Sequence, residues 1–126
     1  MFYRIIDSEF NNCYSKTHGG AITMVNIPNS EITGSYFSNN RAEKTGGAIL
    51  FYCQNFGPRE ELCSLDLKDS TFNNNSAGEQ GGALRWNFYE PKMSNLKFNR
   101  NKALLYGNDI AAVAKRLMRF SSKEEL

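Results

Sequence analysis

The chain has 126 residues, enough for one domain, and 40% of them are apolar, including nine Phe and six Tyr. Its formal net charge of +2 is too small to indicate a nucleic acid or an acidic membrane as partner. The sequence contains no apolar run of 18 residues, so we predict no bilayer-spanning helix.

The N-terminal residues 1–7 lack the charged leader and apolar stretch of a secretory signal. We therefore expect either a cytosolic protein or a piece of a longer chain whose signal lies upstream. The cysteines Cys13, Cys53 and Cys63 form no CxxC pair, and His18 is the only histidine. This pattern predicts no metal site, and nothing in the sequence indicates a cofactor.

A repeat dominates the chain. Four segments align on a phenylalanine, at Phe10, Phe37, Phe72 and Phe98. A glycine follows each of them after nine residues, and in the first three copies it is doubled, as Gly19-Gly20, Gly46-Gly47 and Gly81-Gly82. The Phe-to-Phe steps are 27, 35 and 26 residues, so part of the unit is fixed and the remainder tolerates insertion.

A unit of about 26 residues is too short for two packed helices, but it suits one coil of a β-solenoid with three short strands and three bends. After each glycine pair the apolar residues alternate, as in Leu84, Trp86 and Phe88. This period of two predicts a half-buried strand whose Ile/Leu phase faces inward. A bend or bulge is expected before each Phe, at Asp7, Gly34, Asp69 and Asn95.

Stacked coils would place equivalent residues above one another at the strand spacing of about 4.8 Å. The four Phe rings would then form an internal aromatic stack. A second expected row is an asparagine ladder at a corner, formed by Asn40, Asn75 and Asn101, with Cys13 in place of asparagine in the first coil. The glycine pairs would allow a corner with positive φ or a close approach of two backbones.

At the C-terminal end, residues from Ala111 to Phe120 place Val113, Leu117 and Phe120 at helical spacing. We predict a short helix or tail that covers the end of the last coil. The expected organisation is therefore a β-helix over residues 1–112 and a cap over residues 113–126.

These motifs resemble a known repeat. F-x-x-N followed by G-G-A-[ILV] is similar to the chlamydial polymorphic outer-membrane protein repeat, which also occurs in very large predicted surface proteins of ciliates and other protists. The segment from Tyr106 to Ile110 resembles the ciliate form, where it tends to close the β-helix. The resemblance covers roughly residues 5–112. It implies a parallel β-helix, a surface or secreted setting and adhesion-type roles, and it supplies no catalytic residues.

Four individual features follow from the residues. A disulfide between Cys53 and Cys63 would pinch the base of the insertion in the 35-residue step, whereas the alternative is two unrelated thiols. Asn74 begins the glycosylation sequon Asn74-Asn75-Ser76. Cys13 is interpreted as a structural thiol and His18 as an exposed turn residue, neither of them catalytic.

The rival hypothesis is a polysaccharide lyase or hydrolase of the β-helix class, which would need clustered acids on one sheet face. The candidates are Asp7, Glu9, Asp66, Lys68 and Asp69. Asp7 and Asp69 share a coil position but are two coils apart, so we interpret these residues as scattered solvated charge and predict no catalytic residue.

The sequence thus predicts an all-β fold, a right-handed single-stranded parallel β-helix (a pectin-lyase-like solenoid) of about four coils. We expect a non-enzymatic surface, adhesion or structural module from a larger protein, extracellular or at the cell surface. Its expected partners are a carbohydrate or protein ligand and further coils of the same parent chain, without nucleic acid. Self-association through open coil ends is also expected.

Overall fold

A computed structural model describes residues 2–54 and 63–114. In these residues the chain forms sixteen short strands and no helix, which confirms the all-β prediction. The first coil contains β1 (Tyr3–Ile6), β2 (Glu9–Asn11), β3 (Tyr14–Ser15) and β4 (Ile22–Val25). The second contains β5 (Ser30–Thr33), β6 (Tyr36–Ser38), β7 (Arg41–Ala42) and β8 (Ile49–Tyr52). The third contains β9 (Leu65–Lys68), β10 (Thr71–Asn73), β11 (Ser76–Ala77) and β12 (Leu84–Phe88). The fourth contains β13 (Lys92–Ser94), β14 (Lys97–Asn99), β15 (Lys102–Ala103) and β16 (Ile110–Ala114).

Each strand pairs in parallel with the strand four places further along the chain, so the sixteen strands form four four-stranded sheets. The strand order is β1-β5-β9-β13 in one sheet and β4-β8-β12-β16 in another. The register pairs Phe37 with Phe10 on one side and with Phe72 on the other. The predicted parallel β-helix of four coils is therefore confirmed.

Each coil has four strands, not the three that we expected. The difference arises at the bend before the Phe, where the backbone enters the left-handed region at Asp7 (φ 48°), Gly34 (φ 63°), Asp69 (φ 52°) and Asn95 (φ 50°). A single left-handed residue changes the chain direction sharply. The segment that precedes the Phe is thereby divided into two separate strands that belong to different sheets.

The phenylalanine rings form a continuous stack in the interior. The ring centroids are 4.9 Å apart for Phe10 and Phe37, 4.8 Å for Phe37 and Phe72, and 5.2 Å for Phe72 and Phe98. Phe37 and Phe72 are fully buried, and the terminal members Phe10 and Phe98 are partly buried. Burial of these rings contributes strongly to the core, because a buried aromatic side chain removes a large apolar area from water.

A ladder of buried asparagines runs beside the stack. Asn40 donates from Nδ2 to Asn75 Oδ1 at 2.9 Å, and Asn75 donates in the same way to Asn101 Oδ1 at 3.0 Å. Each amide also donates to a main-chain carbonyl, as Asn40 does to Phe10 at 3.0 Å. The Oδ1 of Asn40 accepts from the backbone N–H of Cys13 at 2.9 Å. The buried amides are therefore satisfied by neighbours on both sides, as burial requires.

The two glycines of each pair have different roles. The first has a positive φ, as in Gly46 (68°), which suits a residue without a side chain. The second permits a close approach of neighbouring coils, because a Cβ added to Gly47 would collide with the main-chain carbonyl of Gly82. The fourth coil has Asn108 at the position of the second glycine.

The segment that begins at Ala111 has helical spacing in the sequence, but its described part is a strand. Residues Ile110–Ala114 form β16, which pairs in parallel with β12 and places Val113 beside Asn87. The free backbone edge of β12 offers hydrogen bonds to this segment, and that template outweighs the weak helical spacing of its side chains. Residues 115–126, which include Leu117 and Phe120, lie outside the described residues, as do residues 55–62 of the insertion.

Candidate functional site

A groove lies on the outer face of the β4-β8-β12-β16 sheet and extends across three coils. Its volume is about 440 Å³, which is within the usual range for small-ligand sites. The lining residues are Thr17, His18, Thr23, Val25, Thr45, Leu50, Tyr52, Gln54, Arg85 and Asn87.

One wall of the groove contains His18 and Thr45, each of which directly precedes the first glycine of its pair. His18, Thr45, Gln80 and Tyr106 form successive parallel bridges from coil to coil. The left-handed glycine that follows turns the chain back toward this row, so that Thr23 donates from Oγ1 to the carbonyl of His18 at 3.1 Å. In the first coil, this glycine turn and hydrogen bond thus connect the wall at His18 to the sheet face at Thr23.

His18 is half-buried in this wall, not the exposed turn residue that we interpreted from the sequence. Its Nδ1 is 2.6 Å from Oγ1 of Thr45, a hydrogen bond in which either group can donate. Burial lowers the pKa of His18 below its usual value of 6.5, and the positive charge of Lys44 lowers it further. The imidazole is therefore mainly neutral at pH 7 and can both donate and accept hydrogen bonds.

The floor of the groove is formed by outward-facing residues of the sheet. Thr23, Leu50 and Arg85 are in register on adjacent strands. Leu50 is buried although it belongs to the outward phase of its strand. This floor thus combines a hydroxyl, an apolar side chain and a guanidinium within three neighbouring strands.

The opposite wall is formed where these strands end. Val25 and Tyr52 are in register there. Gln54, two residues after Tyr52, donates its backbone N–H to Asn26 Oδ1 at 2.7 Å. Asn87 is buried and accepts the N–H of Cys53 at 2.8 Å through its Oδ1. Where the backbone pairing of the strands ends, the side-chain amides of Asn26 and Asn87 therefore accept the backbone N–H groups of Gln54 and Cys53.

Arg85 is the one charged side chain among the described residues that line the groove. Its Nη1 donates to the carbonyl of Trp86 at 2.9 Å. No carboxylate lines this groove within the described part of the chain. The groove is consequently a neutral, hydroxyl-rich and amide-rich surface with a single guanidinium.

A disulfide lies in the core, next along the chain to the groove residue Gln54. Cys53 and Cys63 are bonded in the structure, with their Cα atoms 6.1 Å apart, and both are buried. The bond closes the base of the insertion, directly beside Gln54. Cys13 is a free thiol and is partly buried.

The acidic residues considered for catalysis are distributed over the surface. Asp7 and Asp69 occupy equivalent bends with the coil of Gly34 between them, and Asp69 Oδ1 accepts from Asn95 Nδ2 at 2.8 Å. The structure does not bring these two carboxylates together.

Glu31, which the sequence reasoning missed, lies in the same sheet as the candidate Asp66. It pairs with Arg4 at 3.2 Å and with Lys68 at 3.5 Å, and it is in register with Asp66. The strand register brings Glu31 and Asp66 side by side, but Glu31 already has two cationic partners. Its surroundings are those of a surface ion-pair network.

The sequence singled out neither the groove nor its residues apart from His18. Thr45, Leu50, Tyr52 and Arg85 differ from coil to coil, so no repeated motif marks them. The available signal was the fixed offset from the glycine pair, which places each of them at a known position of the coil. Asn74, in contrast, is exposed in the structure at a left-handed turn with a φ of 59°, while its neighbour Asn75 is buried in the ladder.

Two segments of the chain match the model of the Chlamydia polymorphic membrane protein (Chlamydia_PMP) repeat, at residues 34–52 and 69–85. The chain carries this polymorphic membrane protein repeat. The two matches begin at the left-handed bends of the second and third coils and end within β8 and β12. They therefore include groove residues of both coils, Thr45, Leu50 and Tyr52 in the first match and Arg85 in the second.

No curated protein and no solved structure matches the chain. The chain is thus a β-helix module in which two coils are similar to the repeat of Chlamydia polymorphic membrane proteins. Over the residues that the structure describes, no helix is long and apolar enough to cross a bilayer.

Proposed function

We propose that the chain is a non-enzymatic recognition module of a larger protein that acts outside the cell or at its surface. The observation that carries this proposal is the polymorphic membrane protein repeat in the second and third coils, which are the coils that build most of the groove. The repeat supports the surface setting, and the groove supplies a concave face for a ligand.

The form of the interior supports a rigid scaffold. The Phe stack and the asparagine ladder connect every coil to the next, so the outer faces keep fixed positions relative to one another. Binding groups that are held on a rigid scaffold lose little entropy when a ligand binds. A module of this kind is suited to present a surface for adhesion to a carbohydrate or a protein.

The disulfide and the sequon support the extracellular setting. Disulfides persist in oxidising compartments and are rare in the cytosol. Asn74 is exposed at a turn, where a glycan would not disturb the ladder formed by its neighbour Asn75. Both features agree with a chain that is exported as part of its parent protein.

The free edge of the first coil supports stacking of further coils of the parent chain. Each of the strands β1 to β4 has a neighbour on one side in the described residues, so one backbone edge is open. Tyr3 and Ile6 are each 46% exposed at this edge, and Tyr14 is 56% exposed. An additional coil would pair with these strands, and a second copy of the chain could use the same edge.

Secretion of the chain from eukaryotic cells behind an added signal sequence would test the proposal. We expect a glycosylated, disulfide-bonded protein that binds intact cells or an arrayed glycan panel, with binding lost after heat denaturation. An Asn74→Gln variant is the matched control for binding through the attached glycan and should bind equally well. A folded protein that binds neither cells nor glycans would contradict the proposal. So would the release of reducing ends or unsaturated products from acidic or neutral polysaccharides, which would favour the lyase or hydrolase alternative.

A further inference from the structure

We propose that the groove on the β4-β8-β12-β16 sheet is a binding site for a carboxylate-bearing sugar, such as a uronic acid, with Arg85 as the residue that selects the acid. This inference rests on the proposed recognition function and assigns its ligand class. It follows from the charges and polar groups of the groove.

The groove carries one unopposed positive charge among its described lining residues. Arg85 lines the groove, and its one assigned hydrogen bond goes to the main-chain carbonyl of Trp86. A guanidinium has five N–H donors in a planar fork that matches a carboxylate. None of the described lining residues is acidic, so the structure offers no internal carboxylate to take up this fork within the groove. Charge complementarity therefore favours an anionic group on the ligand.

The walls of the groove also carry neutral polar groups. Thr45 is buried, with 7% of its surface exposed. Its Oγ1 is hydrogen-bonded to Nδ1 of His18 at 2.6 Å. Thr17, Thr23 and Gln54 add further hydroxyl and amide groups. Neutral donors and acceptors of this kind match the vicinal hydroxyls of a sugar, since each can exchange a bond to water for a bond to the ligand.

Part of the groove lining is apolar. Leu50 forms the floor between Thr23 and Arg85, and Val25 and Tyr52 form the far wall. A sugar ring has an apolar C–H face in addition to its hydroxyls. An apolar floor beside hydrogen-bonding walls suits such a ligand better than it suits a strongly hydrated inorganic anion.

The volume of about 440 Å³ accommodates one or two sugar units and not a folded partner. The groove spans three coils, so a longer acidic oligosaccharide would continue along the sheet face. An acidic peptide shares the carboxylate but lacks the vicinal hydroxyls, and it is therefore the competing outcome of the test.

The test is an NMR titration of the isotopically labelled, disulfide-bonded chain with methyl glucuronide, methyl glucoside, acetate and a short acidic peptide. We expect saturable shifts of the backbone amides of Thr23, Thr45, Leu50 and Arg85 with the glucuronide. The neutral glucoside should bind about tenfold more weakly, because it lacks the charge-assisted hydrogen bonds. Acetate, which has the carboxylate alone, should also be weak.

The variants separate the role of Arg85 from net charge. Arg85→Gln should weaken glucuronide binding about tenfold and leave glucoside binding unchanged. Arg100→Gln removes the same charge at an exposed turn outside the groove and should bind like the unmodified chain. Arg85→Lys keeps the charge without the fork and should be intermediate, and it serves if Arg85→Gln does not fold.

Equal binding of glucuronide and glucoside would overturn the inference, as would equal losses in Arg85→Gln and Arg100→Gln. Saturation of the same amides by the acidic peptide at lower concentration than by the glucuronide would also overturn it. If the groove binds no sugar but the secreted chain still binds cells, the inference fails while the recognition function stands.

Discussion

Asn101 donates from Nδ2 to Asp109 Oδ1 at 3.1 Å, so a residue of the fourth coil itself completes the end of the asparagine ladder. In the preceding coils the acceptor for this side-chain amide is the asparagine of the next coil, as Asn101 Oδ1 is for Asn75. Asn108 acts similarly, because its Oδ1 accepts the N–H of Ala103 at 3.0 Å. The fourth coil thus satisfies from its own side chains two donors that another coil would otherwise serve.

The ladder predicts a graded effect of amide removal on stability. Asn75→Ala should lower the free energy of unfolding by about 3 kcal/mol or more, because it leaves several buried partners unpaired, among them the N–H and the side-chain amide of Asn40. Asp109→Ala should cost about 1 kcal/mol, because the bond it removes lies at a partly exposed end. Urea denaturation followed by circular dichroism measures both. Equal losses would contradict the ladder as a central stabilising element.

The phenylalanine stack predicts a similar contrast. Phe37→Ala should lower the free energy of unfolding by about 3–5 kcal/mol, since a fully buried ring with a neighbour on each face is lost. Phe98→Ala removes a partly buried ring with one stacked neighbour and should cost clearly less. The comparison uses the same denaturation experiment. A larger loss at Phe98 than at Phe37 would contradict the observed order of burial.

Gly47, at a close approach of two coils, and Gly34, at a left-handed bend, should differ in their tolerance to substitution. Gly47→Ala should severely destabilise or prevent folding, because its Cβ would overlap the carbonyl oxygens of Gly82 and Ser76 in the next coil. Gly34→Asn should be tolerated within about 1 kcal/mol, because asparagine accepts the left-handed conformation readily. The nearest obstacle at Gly34 is the flexible side chain of Asp7. The measurement is the yield of soluble protein and the thermal unfolding midpoint of each variant. Equal values for the two variants would contradict the prediction.

Removal of the disulfide should lower the stability of the fold. The double substitution of Cys53 and Cys63 by serine should lower the free energy of unfolding by about 2–3 kcal/mol, through the larger entropy of the unfolded chain. Cys13→Ser is the matched control, since Cys13 forms no disulfide, and it should be close to neutral. Thermal unfolding of the three proteins at one pH gives the comparison. A neutral double variant would show that the cross-link does not constrain the unfolded chain.

His18 predicts a pH dependence with a defined sign. Its pKa in the folded chain is lower than the usual 6.5, first because of burial and then because of Lys44, with Arg85 acting in the same direction and Glu79 against it. The unfolded chain therefore binds a proton more readily, so stability should fall as the pH decreases from about 7 through 6.5 and to the folded pKa. His18→Gln should lack this decrease. Because His18 is the only histidine, its ring resonances report the titration directly, and a pKa above 6.5 would contradict the prediction.

The repeat allowed the coil, its register and the inward phase to be predicted from the sequence. Phe37, Asn75 and Gly47 recur because every coil meets the same neighbours, so a fixed offset carries the geometry of the interior. Positions whose residues do not recur could not be predicted in this way. Leu50 and Arg85 occupy one outward position with different side chains, and only their juxtaposition across coils forms the groove.

The C-terminal segment shows the other limit of the sequence reasoning. Val113 belongs to a helical pattern in the sequence but to β16 in the structure. Local spacing is a weak signal over so few residues, and pairing with the exposed edge of β12 decides the conformation. The bend at Gly34 and its counterparts was predicted from the sequence, but its division of the segment into two strands was not, because a single left-handed residue leaves no periodic signature.

The insertion between the second and third coils leaves the register of the coils unchanged. On one side the N–H of Gln54 is bound by Asn26, and on the other the N–H of Ser64 donates to the carbonyl of Ile27 at 3.1 Å, so both ends are anchored to the preceding coil. Residues can accordingly be added or deleted between these anchors without sliding any strand. This position is a natural graft site, at which a foreign epitope or a second binding loop could be displayed beside the groove on an unaltered scaffold.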